Sequence, residues 1–591
     1  MKAYMNESKV ARRCDRLERR GGGGWPWWVL AVLLGGAMPV SAQTFEQVAP
    51  SELPQESDQA TTLPSLERET KRSDSSDEEQ VIVAALRGLV FVADVSAVRP
   101  GGRGEEGIVT QEVPLLDTTE FREKLAPRLG RPLTLGMLKS ITKETVAYLR
   151  GRDRPVVDVV VPEQNVATGT VQVVVREGRL GAVKAEGNRW FAAERIVAAV
   201  RVAPGDSISG RGLLADLSWL NQNPFRRVDL VFAAGERAGE TDVILKVDDR
   251  RPLRLYAGFD DSGTTLTDRE RVFAGVNWGN AFGREHQLSY QFTASPDVEK
   301  MTAHSASYVV PLPERRHTLT VFGSHARSRP DLPYFTLDGR SWQVGLRYRV
   351  PLSAWRGVEQ SLTGGVDFKR SNNDLAFGGS SVFAQATDVA QLVLEYAASR
   401  ADRRGMTSGG LTLALSPGGI GGRNRDADFR ASRSLADARY GYARIALERT
   451  TRLRGDWVWV VRGQGQIAST NLLGSEQLGL GGASLLRGYE EREANGDSGV
   501  ALINEVRAAA VPLGGGRLVP LAFFDAGRTE VHAPLTGEAR GRNLASAGVG
   551  VRYALGATVV ARADFGWQLR ESGVSPTGDD RRGHVSVTVG W

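Results

Sequence analysis

The chain has 591 residues, 41% of them hydrophobic and 24% charged, with 75 Lys and Arg against 69 Asp and Glu. That balance excludes a disordered chain. A mean hydropathy of −0.26 excludes a bundle of membrane-crossing helices, which needs repeated apolar runs of about 20 residues. With Cys14 as its one cysteine, the chain has neither a disulfide framework nor a cysteine-based metal site.

Residues 1–24 carry seven basic and three acidic side chains, and an uncharged stretch follows from Trp25 to Val40. A basic flank, a short apolar core and the small-x-small exit Val40-Ser41-Ala42 predict a signal peptide over residues 1–42. Its removal takes away Cys14 and leaves a nearly neutral, cysteine-free chain suited to an oxidising compartment. Residues 43–80 hold ten acidic and three basic residues, with Pro50, Pro54 and Pro64 and no apolar period. They read as an exposed, extended acidic linker.

Residues 81–250 change character. A strand at 89–92, helices at 119–129 and 133–149, and β-branched strands at 156–161 and 170–175 form one α+β module over 81–178. A similar order recurs over 179–250, with strands at 183–186, 228–232 and 242–247 and helices at 192–200 and 212–220. Two small modules are expected, each with a three-stranded sheet and an open edge.

From 251 to 591 the pattern becomes segments of about ten alternating residues between Gly- and Asp-rich turns. Trp342, Val344, Leu346, Tyr348 and Val350 alternate with Ser341, Gln343, Gly345, Arg347 and Arg349; Val585, Val587, Val589 and Trp591 alternate with His584, Ser586, Thr588 and Gly590. The polar parity is charged, as in a wet lumen, and the apolar parity carries the Trp and Tyr of interfacial girdles. A sheet that spans lipid must close on itself. At about 20 residues per strand and connection, the segment predicts a transmembrane β-barrel of about 16 strands. The fold class is mostly β: a C-terminal barrel over 251–591 preceded by two α+β modules. Long connections such as 416–428 are expected outside the cell.

Enzymatic signatures are lacking. The six histidines are dispersed, and the sequence has no HExxH, no P-loop and no GxSxG elbow. No cofactor or metal is called for, and no basic, aromatic-interleaved patch suggests nucleic acid.

One constellation stands out. Gly479 to Tyr489 reads Gly-Leu-Gly-Gly-Ala-Ser-Leu-Leu-Arg-Gly-Tyr, and glycines on both sides let such a loop fold back on itself. Downstream, Phe523, Asp525 and Gly527 share one face of a strand. An Arg487 on an inward loop and an Asp525 on the lumen face form a bidentate pair if they meet, and Gly527 leaves room for the loop tip. Glu505 and Arg507 share a face of the intervening strand and offer a second acid and a competing base.

These residues resemble those of the two-partner secretion transporters (TpsB, haemolysin secretion/activation type), within the superfamily that also includes the barrel insertase BamA. Leu486-Arg487-Gly488-Tyr489 resembles its [VI]RGY/F loop motif, with Leu486 in place of Val or Ile, and Phe523-x-Asp525-x-Gly527 resembles its strand motif. Leu220-Asn221-Gln222-Asn223-Pro224-Phe225 and Gly496-Asp497-Ser498-Gly499 are further matches. The resemblance implies that the modules are POTRA domains in the periplasm, below an outer-membrane pore without enzymatic activity. The pore would export a secreted TpsA-type exoprotein that the POTRA modules capture. It also implies an aromatic end, Trp591, serving insertion into outer-membrane lipid by the barrel assembly machinery. The family often carries an N-terminal plug helix; Pro50 and Pro54 make residues 43–60 a poor helix here. The alternative is an outer-membrane protein assembly insertase of the same superfamily, which usually carries three to five modules. A passive porin would carry none.

Overall fold

A computed structural model describes residues 45–51, 79–237, 239–332, 335–377, 380–573 and 580–591. The expected signal peptide and most of the acidic linker lie outside these residues.

The first module is built on a sheet of four strands, not three, in the order Gly107–Val109, Gly88–Val92, Thr170–Glu177, Val157–Val160. The extra strand is the short segment Gly107–Val109, three residues of weak alternation that pair in parallel with Gly88–Val92. Helices Thr119–Leu125 and Leu135–Gly151 start at Thr118 and Thr134, whose hydroxyls accept the N–H groups of Phe121 and Met137. Their apolar faces bury Phe121, Leu125, Ile141 and Leu149 against Leu89, Phe91, Val171 and Val173.

The second module has three strands, Arg179–Glu186, Glu240–Asp249 and Arg226–Ala234 in that order, covered by helices Ala193–Ala198 and Gly210–Leu220. The modules meet at Asp153, which has a positive φ of 70°. Its carboxylate accepts the Ser209 hydroxyl at 2.6 Å and the Arg211 N–H at 2.7 Å, at the start of helix Gly210–Leu220. Burial pushes the Asp153 pKa up, but these two bonds and the Arg211 charge outweigh it and hold the carboxyl below its ordinary value.

Sixteen long antiparallel strands from Leu253–Asp260 to Arg581–Gly590 close into a barrel. Two of the strands are interrupted and resume as the short segments Asp331–Leu332 and Val511–Leu513. The seam joins the first and last strands: Tyr256 faces Gly590, and Leu255 and Trp591 exchange backbone bonds of 3.0 and 2.9 Å. Trp591 therefore closes the sheet, with its side chain exposed. Alternation sorts the faces sharply. Phe524 is 46% exposed on the outer wall while its neighbour Asp525 is 0% exposed inside. Val344, Val366, Leu392 and Leu502 share the outer wall, as a lipid-facing belt requires.

The second module seats on the short turns at one rim. The Asn223 amide donates to the Gly279 carbonyl at 2.6 Å, Arg226 pairs with Glu285 at 2.8 Å, and Arg316 pairs with Asp216. Asn221 holds Val228 through bonds of 2.7 and 3.0 Å. The patch from Leu220 to Phe225 thus ends the module and docks it. The long connections leave from the opposite rim. One of them, 418–438, is not a plain loop: it carries the helix Asp426–Ser432.

Part of the expected exposed linker is in fact inside the barrel. Phe45–Val48 is a helical turn, and Val48 packs on the lumen residues Met301, Ala303 and Ala326. The Ser51 N–H donates to Tyr256 Oη at 3.0 Å and to Gln291 Oε1 at 3.1 Å, and the Ser305 hydroxyl donates to the Val48 carbonyl at 2.5 Å. Pro50 does not prevent this because the helix ends two residues before it. Lumen hydroxyls and amides supply partners to backbone groups that a short helix leaves open.

Candidate functional site: the inward loop and its lumen anchor

Between the strands Val458–Ala468 and Ser498–Arg507 the chain turns inward as a hairpin, with Leu478–Leu480 paired to Ala494–Gly496. Its tip, 481–493, rests on the inner wall. Leu480, Leu486 and Tyr489 are buried against Ala501, Ile503 and Leu544. Gly527 makes room for this contact: a methyl there would lie 2.7 Å from Leu480 Cδ1 and 3.3 Å from Leu486 Cδ1.

Arg487 is 2% exposed. Its Nε and Nη2 donate to the two oxygens of Asp525 at 2.8 and 2.9 Å, a bidentate fork. Its backbone N–H reaches Asp525 Oδ2 at 3.2 Å, and Nη1 donates to Glu505 Oε2 at 2.5 Å. The guanidinium lies over the Phe523 ring, 3.6 Å from the centroid. Arg507 does not compete for Asp525; it donates to Glu505 Oε1 at 2.6 Å.

Two residues outside the expected set complete the cluster. Asp564 lies 3.6 Å from Arg487 Nη1, and Arg552 pairs with Asp564 at 2.9 Å and reaches Glu505 at 3.5 Å. Three guanidiniums (Arg487, Arg507, Arg552) therefore face three carboxylates (Glu505, Asp525, Asp564). The charges balance: Arg487 and the three carboxylates are buried, while Arg507 and Arg552 reach the open lumen. Asp564 was legible as a lumen charge from its parity; its partner was not, because the two come from different strands.

The rest of the motif grips the last strands. Gly488, with φ of +90°, presses its backbone on Gly566, where a methyl would lie 2.8 Å from Gly488 N and Cα. The Gly488 N–H donates to His584 Nε2 at 3.1 Å, and Gln568 donates to the Gly488 carbonyl at 2.7 Å. His584 Nδ1 lies 3.1 Å from Asp261 on the connection after the first strand. The Tyr489 hydroxyl accepts from Ala545 N–H at 3.0 Å and donates to the Arg570 carbonyl at 2.6 Å. The loop tip thus touches the strands at 498–507, 516–530, 541–555, 559–568 and 581–590. Trp591 sits apart from this cluster, at the seam.

The barrel, the docked α+β modules and the inward loop define a POTRA-bearing outer-membrane barrel. The family model for the haemolysin secretion/activation protein ShlB/FhaC/HecB matches residues 239–553, and that for the ShlB-type POTRA domain matches 106–178. The chain belongs to the ShlB/FhaC/HecB haemolysin secretion/activation family. It lies in the outer membrane with its POTRA modules in the periplasm. Among curated relatives, the heme/hemopexin transporter protein HuxB of Haemophilus influenzae is 22% identical over 180 residues, 30% of this chain and 32% of that protein. The chain spans about a third of the length of this relative. The outer membrane transporter CdiB of Escherichia coli is 23% identical over 426 residues, 68% of each chain. The solved structure of CdiB from Escherichia coli superposes with a TM-score of 0.69 at 18% identity, covering 88% of this chain and 93% of that one. CdiB from Acinetobacter baumannii gives 0.59 at 16%, covering 92% and 95%.

Proposed function

We propose that this chain is an outer-membrane translocation pore that exports one large, unfolded TpsA-type exoprotein by two-partner secretion, without nucleotide hydrolysis. The observation that carries this reading is the inward loop pinned by Arg487 to Asp525 and Glu505 inside a closed barrel that holds POTRA modules at its periplasmic rim. Both module sheets end in edge strands, Val157–Val160 in the first and Arg179–Glu186 in the second. An extended cargo segment adds to such an edge by backbone hydrogen bonds. The cargo then threads the lumen, and its folding outside blocks return. The chain itself is a conduit rather than a catalyst; it reaches its site in lipid through the barrel assembly machinery, which reads the terminal strand and Trp591.

In this mechanism Arg487 and Asp525 are a tether. They hold the loop in the arrangement through which cargo passes, and Gly488, Tyr489, Phe523 and Gly527 shape the seat. Arg487→Ala and Asp525→Ala are expected to abolish export of the partner while heat-modifiable, folded barrel still accumulates in the outer membrane. Export at the wild-type rate by both variants refutes the tether.

A further inference from the structure

Asp497 immediately precedes the strand Ser498–Arg507 at the outer rim and is 0% exposed. It belongs to neither the Arg487 cluster nor the seat of the loop tip. Its carboxylate collects donors from three separate outer connections. From 469–477 it accepts the Leu472 N–H at 2.8 Å and the Gln477 amide at 3.2 Å. From 531–540 it accepts the His532 N–H at 2.9 Å. From 418–438 it takes both Nη groups of Arg433, one at 3.1 Å. Its own backbone is fixed as well: the N–H donates to the Glu530 carbonyl at 2.9 Å, and the carbonyl accepts from Gln466 at 3.0 Å.

A second strut joins the same connections. The Asn471 amide donates to the carbonyls of Ser434 and Ala533, at 3.2 and 2.9 Å, and its oxygen accepts the Ala533 N–H at 2.8 Å. Beneath both lies an apolar layer of Phe429, Ala436, Ala438, Leu472 and Leu473 against Val389 and Tyr440. Val389 and Thr387 are on the inner wall, and Thr387 bonds to Ser432 and to the Asp428 carbonyl. The helix Asp426–Ser432 therefore lies inside the outer mouth and not above it.

We infer that Asp497 is a positioning residue that latches the segment 425–438 against the inner wall of the outer mouth, and that this latch must release for cargo to leave. A buried carboxylate taking donors from three connections is satisfied only when all three are in place. The backbone N–H donors carry no charge, so no single opposite charge elsewhere substitutes for the arrangement. Release exchanges these bonds for water at once, which makes docking all-or-none for the three connections. The direction of cargo movement rests on the pore reading above; the latched arrangement of the three connections does not.

The test uses the full chain with Cys14→Ser, so that a single new cysteine reports. Ser416 is 3% exposed and bonds to the Ala438 carbonyl under the latched segment. With Ser416→Cys, a membrane-impermeant maleimide is added to intact cells and the labelling rate measured. Slow labelling is expected, rising at least tenfold with Asp497→Asn and by a smaller factor with Arg433→Gln, which leaves the backbone donors in place. Heat-modifiable migration identifies folded barrel; if Asp497→Asn does not fold, Arg433→Gln decides. Fast labelling of the introduced thiol before any change at Asp497, or unchanged protection in the folded variants, overturns the latch. Because no partner protein enters the assay, failed export alone leaves this result intact.

Discussion

Asp525→Asn keeps the shape of the anchor and removes its charge, so its effect follows from the contacts of Arg487. The native carboxylate accepts two guanidinium bonds and one backbone N–H, at 2.8, 2.9 and 3.2 Å, with no exposed surface. An amide can keep one oxygen as acceptor but turns an NH2 group toward a guanidinium. Breaking a buried pair costs about 3–5 kcal/mol. The lower end applies here, because Arg487 keeps Glu505 at 2.5 Å. About 3 kcal/mol lowers the population ratio of docked to undocked loop by somewhat more than 100-fold. In lipid nanodiscs, amide hydrogen exchange of residues 481–493 should accelerate by about that factor, while the strands 335–355 and 358–377 keep their protection. Adding Glu505→Gln should raise the loss non-additively, since both carboxylates hold one guanidinium. Unchanged protection of the loop in Asp525→Asn, with the barrel folded, refutes the reasoning.

Other outcomes follow from the same contacts. Gly488→Ala places a methyl 3.2 Å from the Gly566 carbonyl carbon at a φ of +90°, a strain of about 1–3 kcal/mol; export should fall in folded barrel, and a wild-type rate counts against close backbone contact. Val366→Arg on the outer wall, where Val366 is 46% exposed, should cost about 2–4 kcal/mol if the residue lies near the bilayer midplane, read as a lower urea midpoint in lipid vesicles; no change means that this face does not meet lipid. Glu285→Ala removes the partner of the buried Arg226 and should expose the joint between the second module and the barrel to proteolysis around residue 250. The inter-module joint should depend on pH in one direction. A carboxyl whose folded pKa is lowered contributes fully above its ordinary value, 3.8 for Asp153, and loses that contribution as pH falls through the lowered value. Distances between spin labels on the two modules should be narrow at pH 7 and broaden well below pH 3.8, and Asp153→Asn should be broad at both; a narrow distribution in that variant excludes Asp153 as the joint.

Much of the architecture was legible in the residue order because it follows from local periodicity. Period-two alternation separates an outer face such as Val344, Leu346 and Tyr348 from an inner face such as Gln343 and Arg347. Charge on the inner parity distinguishes a wet barrel from a dry sandwich, and residue count sets the strand number. Arg487, Asp525, Glu505 and Gly527 were legible as a set because glycine spacing and shared strand faces narrow the geometry before any distance is known. Resemblance of the short motifs to those of the secretion transporters added the family.

Tertiary structure decided what depends on which distant strands become neighbours. Arg552 and Asp564 join the Arg487 cluster, and His584 meets Gly488, only because the sheet closes. The strand Gly107–Val109 forms because a neighbour supplies its hydrogen bonds. The turn Phe45–Val48 enters the lumen although its own sequence favours exposure, because Tyr256, Gln291 and Ser305 offer partners that water would otherwise provide. Local patterning fixes which way a side chain points; only closure of the barrel fixes what it meets, since partners as far apart in the chain as Leu255 and Trp591 leave no periodic trace.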